Sequence, residues 1–468
     1  MPRSEHALTL PARMVRIAVV APRAHLRETL VALADSGTVE LAGTLPSGSG
    51  EALEALRRLE RQGTNGKPPP VLSPRLPDVG QLERAGAVDL LRGEVELERR
   101  SAAAVDHGSF AALVGWAPEN ALAGLAERLA PSGAGVIELT RPPWVEPPAL
   151  IARKPVTRPF RPLVETYGPA RYADLDPTLF AALAFVLMFG MMFGDAGHGL
   201  LLATAALAVR FFGRGRLLAV RRVWVLPFAA GLSAAFFGLL YGEFFGPTGV
   251  VPTLWLDPVD HAEVLLAAAL AVGAVLLAQS YAFGTVNRWR EEGPVAAFVA
   301  PSGIAGTCIF VGGGIAAAGW YLGSSPAVAL GGAIVVVGLA LLATGFAAHA
   351  ARGGLGAIEV FVEVVDSVVR VGASAISFTR LAAFGLMHAA IGMVVWAAAS
   401  ALWGPAAGSL LAVLVLVGGN LLAFSLELLV AGVQALRLEY YELFSRIFAG
   451  EGHPFSPWHI PLANEEES

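Results

Sequence analysis

From residue 178 onward the sequence is divided into eight apolar runs, at 178–194, 198–213, 223–246, 262–286, 295–322, 327–350, 357–402 and 407–448. Each is long enough to cross, or nearly cross, a hydrocarbon core of about 30 Å. The first two are short and joined by a tight polar turn, Asp195-Ala196-Gly197. The last two are about twice the needed length, so they must tilt strongly or extend past the bilayer. The expected architecture is therefore a membrane all-α domain of eight transmembrane helices.

Composition agrees. Hydrophobic residues make up 55% of the chain and charged residues 15%, against roughly 25% charged in soluble domains. The first 165 residues nevertheless read as soluble protein. Residues 14–20 alternate as a strand does, Leu26 to Ala34 is helix-patterned, and 38–41 is a second short strand. Residues 45–80, rich in Gly, Pro and Ser, read as a loop, and Gln81 to Arg100 as an exposed charged helix forming a short coil. A second α/β piece follows, with strands at 110–116 and 135–139 around a helix at 119–129. The resulting division is an α/β domain over 1–140, a proline-rich linker over 141–177, the membrane domain over 178–448 and a tail over 449–468. Residues 1 to 13 contain no apolar core of a secretory signal, and Met14, where the first strand-like run begins, is an alternative start.

Several function classes fall away. A net charge of −5 gives no reason to expect a nucleic-acid partner. The single cysteine, Cys308, excludes an internal disulfide, a cysteine-based zinc site and a ligated iron–sulfur cluster. There is no G-x-x-x-x-G-K-[ST] loop, since Gly66-Lys67 runs into three prolines, so nothing suggests that the chain hydrolyses ATP by itself. No cofactor or metal is expected. Gly312-Gly313-Gly314 reads as a place for close helix packing.

Orientation follows from the arginines. Loops with Arg214, Arg216, Arg221, Arg222, Arg288, Arg290 and Arg352 alternate with loops that contain no Lys or Arg. Positive loops stay cytoplasmic, so both termini and the soluble domain are expected on that side.

A charge inside a membrane segment costs at least ~2.5–3.5 kcal/mol on insertion scales. The seventh segment nevertheless carries Glu359, Glu363, Asp366, Arg370, Ser377, Arg380 and His388. Steps of three, four and seven hold most of these on one helix face. From Glu359 to Arg380 the rise is about 31 Å, so the polar stripe suits a helix lining an ion path. The eighth segment adds Glu427, Gln434 and Arg437 on a broad shared face. Plainer readings stand beside these. Glu359 and Glu363 are also read as solvated, Asp366 and Arg370 as a neutralising i, i+4 pair, and Arg437 as snorkelling. Arg380 lies too deep for easy snorkelling. Asp195 and His198 at the first hairpin, with Glu243 near an external end, are read as turn or solvated residues or as a channel mouth.

At these residues the sequence resembles the V-type ATPase subunit a/I family. Phe189-Gly190-Met191-Met192-Phe193-Gly194-Asp195-Ala196-Gly197-His198-Gly199 is similar to that family's first membrane hairpin, and Tyr167-Gly168-Pro169 with Asp176-Pro177-Thr178 to its entry linker. Ser377-Phe378-Thr379-Arg380-Leu381 through His388-Ala389 resembles the segment bearing the family's essential arginine. Leu436-Arg437-Leu438-Glu439, preceded by Glu427, resembles the second arginine segment, and Phe448 through Pro457 the C-terminal signature. The pieces at 14–41 and 110–140 resemble the two globular ends of the family's cytoplasmic arm, although the long coiled coil between them is missing.

The resemblance implies an ion-translocating stator subunit of a rotary ATPase in a prokaryotic plasma membrane. Its partners would be a proteolipid ring, peripheral stalks, a central-stalk socket subunit and membrane lipid. Arg380 would face the ring, with Arg437 beside it. Asp366 and Glu363 would lie along one half-channel, and Glu427, Gln434 and His388 along the other or at its mouth. A secondary transporter and a non-conducting anchor or assembly subunit are the alternatives. The former usually shows inverted repeats, of which none is evident here.

Overall fold

The computed structural model describes residues 12–43, 46, 50–61, 68–142, 145–150, 157–168, 171–215, 221, 223–353, 356–448 and 452–463. Gly66, Lys67, Arg216 and Arg222, together with Pro169, Ala449, Gly450 and Glu451, lie outside the described residues. The chain forms two compact units. One comprises Pro11–Ala152, Ala170–Tyr172 and Gly452–Ser468; the other comprises Met1–Leu10, Arg153–Pro169 and Ala173–Glu451.

In the α/β unit, β1 (Met14–Pro22) is followed by α1 (Leu26–Ser36) and β2 (Glu40–Leu41). The helices α2 (Glu51–Arg61), α3 (Val79–Ala85) and α4 (Val88–Ala102) come next, then β3 (Val105–His107), β4 (Phe110–Pro118), α5 (Leu122–Leu129) and β5 (Gly135–Glu138). The two α/β pieces of the sequence merge into one antiparallel sheet of order β2-β4-β1-β5, with β3 also on β4. β1 and β4 pair along nine residues, from Met14 opposite Pro118 to Pro22 opposite Phe110. Alternation puts Ile17, Val19 and Ala21 of β1 on one face, where Leu30 and Leu33 of α1 and Leu125 and Leu129 of α5 complete the core.

Two expectations fail here. Residues 51–61 are helical, because Ala52, Leu53, Ala55, Leu56 and Leu59 make a buried stripe of helical period; the Gly- and Pro-rich flanks mask that signal in the composition. The charged stretch at 81–100 is neither one helix nor an exposed coil. It turns at Gly86, whose φ of 67° is the left-handed cap that ends α3. Leu91 and Val95 of α4 are buried against Leu53, Leu56 and Leu59 of α2.

The segment after Gly452 returns to this unit. Trp458 and Ile460 join the sheet's core. Trp458 N donates to Val39 O at 2.8 Å, Ala463 N donates to Leu72 O at 2.9 Å, and the Arg100 guanidinium lies 5.4 Å from the Trp458 ring centroid. Truncation of a buried Trp to Ala costs about 3–5 kcal/mol. Trp458→Ala is therefore expected to loosen the α/β unit, lowering amide-exchange protection in β1 and α1 by roughly a hundredfold or more; unchanged protection there would show that the segment is dispensable.

The other unit is helical. A short α6 (Arg161–Glu165) precedes α7 (Thr178–Met192), α8 (Ala196–Phe212) and α9 (Val225–Tyr241). Then come α10 (Ala262–Glu292), α11 (Pro294–Val299), α12 (Ile304–Tyr321), α13 (Ser325–Gly353), α14 (Ala357–Ser377), α15 (Thr379–Leu402) and α16 (Ala406–Leu438). Among the described residues, five helical stretches are long and apolar enough to cross a membrane: 262–292, 294–321, 325–351, 357–402 and 408–447. Of the eight expected spans, these five meet that length, and α7, α8 and α9 are apolar but shorter. The helices α7, α8 and α9 have 15, 17 and 17 residues and rise only about 22–26 Å at 1.5 Å per residue, short of a ~30 Å core.

These three short helices pack closely because small residues let backbones touch. A Cβ on Gly231 would lie 2.7 Å from Ala203 N, and one on Gly238 would collide with the backbone at Asp195 and Ala196. Gly312 behaves as expected, facing Gly331 O across α12 and α13, whereas Gly313 and Gly314 face open space. Gly231→Leu should drive α8 and α9 apart and lower the melting temperature of the purified protein by several degrees; Gly313→Leu, with room for its side chain, serves as the silent comparison.

Candidate functional site

The long helices place the sequence's charged residues in two groups, with Arg380 between them along the chain. α14 ends at Ser377 and α15 starts at Thr379, joined by the fully buried Phe378 in a helical conformation. By helix rise Arg380 stands about 12 Å along the axis from His388 and about 15 Å from Arg370.

The first group is buried. Asp195 caps α8, accepting from His198 N at 2.8 Å, as an Asp at the N-cap does. It also accepts from Phe245 N at 3.1 Å and Gly246 N at 2.9 Å. These donors are aimed at it by a turn in which Phe245 has φ 52°, the one positive φ at a non-glycine among the described residues. A bulky residue in that region is strained and persists only where the surroundings enforce it; three bonds to one carboxylate do so here. Ala196 N donates to Glu243 O at 2.9 Å, tying the same turn to α8.

α15 and α16 then bring in His388 and Glu427. The His388 Nδ1 pairs with Glu427 Oε2, while its Nε2 lies 3.8 Å from Asp195 Oδ2. His198 Nδ1 lies 3.7 Å from that same oxygen. The exposures are 0% for Asp195, 3% for His198, 5% for Glu243, 5% for His388 and 4% for Glu427. Ion pairing is the physical route by which such groups stay buried. Phe193 and Phe424 enclose the imidazoles, and Phe245 stands edge-on to His198 at 5.1 Å. A cavity of about 560 Å³ reaches His198 past Asn420 and Phe424. Asp195 and His198 are thus interior residues that meet His388, itself paired with Glu427, and Glu243 is buried too, a convergence the sequence left unstated.

The second group surrounds a cavity of about 490 Å³ lined by Glu363, Ser367, Arg370, Ser374, Glu442 and Arg446, among others. Arg370 pairs with Asp366, both exposed. Arg446 Nη2 donates to Ser374 Oγ at 2.5 Å, and its guanidinium lies over the Tyr281 ring at 4.8 Å. Glu359 is a cap: exposed, it accepts from Gly356 N at 2.6 Å. Ser377 Oγ donates to Ala373 O at 3.0 Å, within its own helix. Arg380 is half-buried, with Arg437 and Glu442 as its charged neighbours. Arg437 is exposed and Gln434 half-buried.

Two residues, Asn287 and Arg446, escaped the sequence reading, and Glu439 entered it only within the second arginine segment. Asn287 of α10 accepts from Leu175 N and donates to Ile447 O, both at 3.0 Å, so it ties the entry segment to the end of the last long helix. Arg446 and Glu439 lie in or beside a π-helical stretch, Glu439–Phe444. Such wide turns frequently occur at functional sites, yet no simple sequence pattern announces them.

Long apolar helices that shelter paired charges define an integral membrane protein. Comparison with known proteins shows what the chain is similar to. The family model described as the V-type ATPase 116kDa subunit family matches residues 106–293, which include Asp195, His198 and Glu243. The chain is 29% identical over 367 residues to the A-type ATP synthase subunit I of Pyrococcus horikoshii, covering 74% of this chain and 53% of that one. It is 31% identical over 350 residues to the subunit of that name from Aeropyrum pernix, covering 64% and 50%. These matches support the V-type ATPase subunit a/I family as the one this chain resembles. It spans about half the length of the curated relatives it matches.

Proposed function

We propose that this chain is a membrane subunit of a rotary ATPase that conducts ions between two half-channels. The observation that carries the reading is Arg380, half-buried on the helical run between two polar groups. One half-channel would pass the cavity of Glu363, Arg370 and Glu442. The other would pass Glu243, Asp195, His198, His388 and Glu427. Ions would change sides on a carboxylate of a rotating proteolipid ring as it passes Arg380. Arg437 and Gln434 would flank that crossing.

The outer faces of α14 and α16 support a ring partner or lipid there, since Phe361, Val369, Ile376, Leu421 and Leu429 are all largely exposed. In this reading α7, α8 and α9 also cross the bilayer, which thins locally around them. Both termini are cytoplasmic, and the α/β unit meets the peripheral stalks and the central-stalk socket. Partner subunits hydrolyse or make ATP, and the ion is a proton or sodium.

Inverted vesicles bearing the assembled complex test the whole reading. ATP should drive proton or sodium uptake, and a proteolipid ring should co-purify with the chain. Uptake without ATP from a chain that purifies alone would instead identify a secondary transporter. A co-purifying ring without uptake of either ion would identify an anchor.

A further inference from the structure

The buried group around Asp195 has the donor set of a metal centre. His198 Nδ1 and His388 Nε2 lie 3.7 and 3.8 Å from one oxygen, Asp195 Oδ2. One ligand atom from each of the three residues falls within 4.8 Å of the others. A tetrahedral Zn²⁺ with bonds of about 2.0–2.2 Å has ligand-to-ligand edges of roughly 3.3–3.5 Å. The observed separations exceed that by only a few tenths of an ångström along the two measured edges.

Two further features point to a ligand. His198 is 3% exposed, and neither of its ring nitrogens has a hydrogen-bond partner among the described residues. Buried polar atoms are normally satisfied, and the protein groups nearest this imidazole, the Asp195 carboxylate at 3.7 Å and the Asn420 backbone, leave it without a normal hydrogen bond. His388 is already arranged as a ligand with outer support. Its Nδ1 pairs with Glu427, leaving Nε2 facing Asp195. A carboxylate on the far nitrogen is the arrangement that orients metal-bound histidines and raises their basicity. Asp195, in turn, is held by the backbone N–H groups of His198, Phe245 and Gly246.

We propose that Asp195, His198 and His388 bind one Zn²⁺, with Glu427 positioning His388 and the fourth coordination position open. Two imidazoles and one carboxylate match the pattern of zinc sites that keep such an open position. The carboxylates of Asp195 and Glu427 offset the charge of the ion in the apolar interior. A cavity lined mostly by apolar side chains, with Asn420 also in its lining, touches His198. These ligand residues also line the second half-channel proposed above, so a bound ion would occupy that path; the titration reads zinc binding and not ion uptake, which keeps the two tests separate.

The test is zinc titration of the purified full chain against a chromophoric chelator, with X-ray absorption at the zinc edge. One equivalent should bind, with a shell of two imidazole nitrogens and one or more oxygens at about 2.0–2.2 Å. His198→Gln and His388→Gln should each weaken binding at least a hundredfold, and Glu427→Gln by roughly 10–100-fold. His261→Asn and His349→Asn, which alter histidines elsewhere, should leave it unchanged. Absence of stoichiometric binding overturns the proposal. So does binding unaffected by the first two variants, or a shell without imidazole in the native protein. The absorption measurement needs no variant and decides the matter even if His198→Gln fails to fold.

Discussion

Arg380→Gln is expected to reduce ATP-driven ion uptake by roughly a hundredfold or more while the complex still assembles. Arginine suits this position because its guanidinium does not lose its proton under physiological conditions. A carboxylate brought against it from a ring would be held ionised by attraction that strengthens in a medium of low dielectric, although desolvation limits the net gain. A hundredfold loss needs only about 2.7 kcal/mol, at 1.36 kcal/mol per decade. Removing one partner of a desolvated pair commonly costs about 3–5 kcal/mol. Arg380→Lys, which keeps the charge and loses the planar fork, should fall between the two. The measurement is uptake by inverted vesicles, with assembly matched by the amount of co-purifying ring. Native uptake in the glutamine variant would make Arg380 a structural residue and remove the centre of the site.

His388→Leu should produce the largest loss of stability among single changes in the helical unit. It would leave the buried carboxylates of Asp195 and Glu427 without the imidazole that pairs with one and lies near the other. An unpaired buried charge costs about 3–5 kcal/mol. Glu427→Leu should be milder, since His388 would retain Asp195. The double variant His388→Leu with Glu427→Leu should recover part of the loss, giving a coupling of about 1–3 kcal/mol between the two positions. Denaturation of the four purified proteins in detergent measures it. Additive effects would mean that the two side chains do not act as a pair in the folded protein.

Much of this molecule is legible from local pattern. The alternation at 14–20, the helix-like period after Leu26 and the matching features at 110–139 appear as β1, α1, β4, α5 and β5. The apolar runs appear as helices, and the i, i+4 pair of Asp366 and Arg370 forms as expected. α2 is hidden in the composition of 45–80 because the ends of that stretch are rich in Gly and Pro, while its own Leu and Ala residues keep helical period. The polar segment after Gly452 looked like a tail, since an isolated Trp458 and Ile460 form no periodic pattern. Asp195-Ala196-Gly197 looked like a surface turn for the same reason. Nothing nearby in the sequence indicates that Gly238 lets α9 lie against it or that His388 reaches it.

Local pattern alone marks this as a membrane protein with an α/β part, and shows which helix faces carry its charges. Hydropathy and periodicity are sums over neighbouring residues, so they survive without knowledge of the fold. Which of those charges meet depends on how the helices pack. Asp195, His198, His388 and Glu427 come from three helices, or the turn that starts one of them, and converge through close backbone contacts at small residues and through a strained turn at Phe245. The partners are distant in sequence, and their burial is tolerable only because they meet.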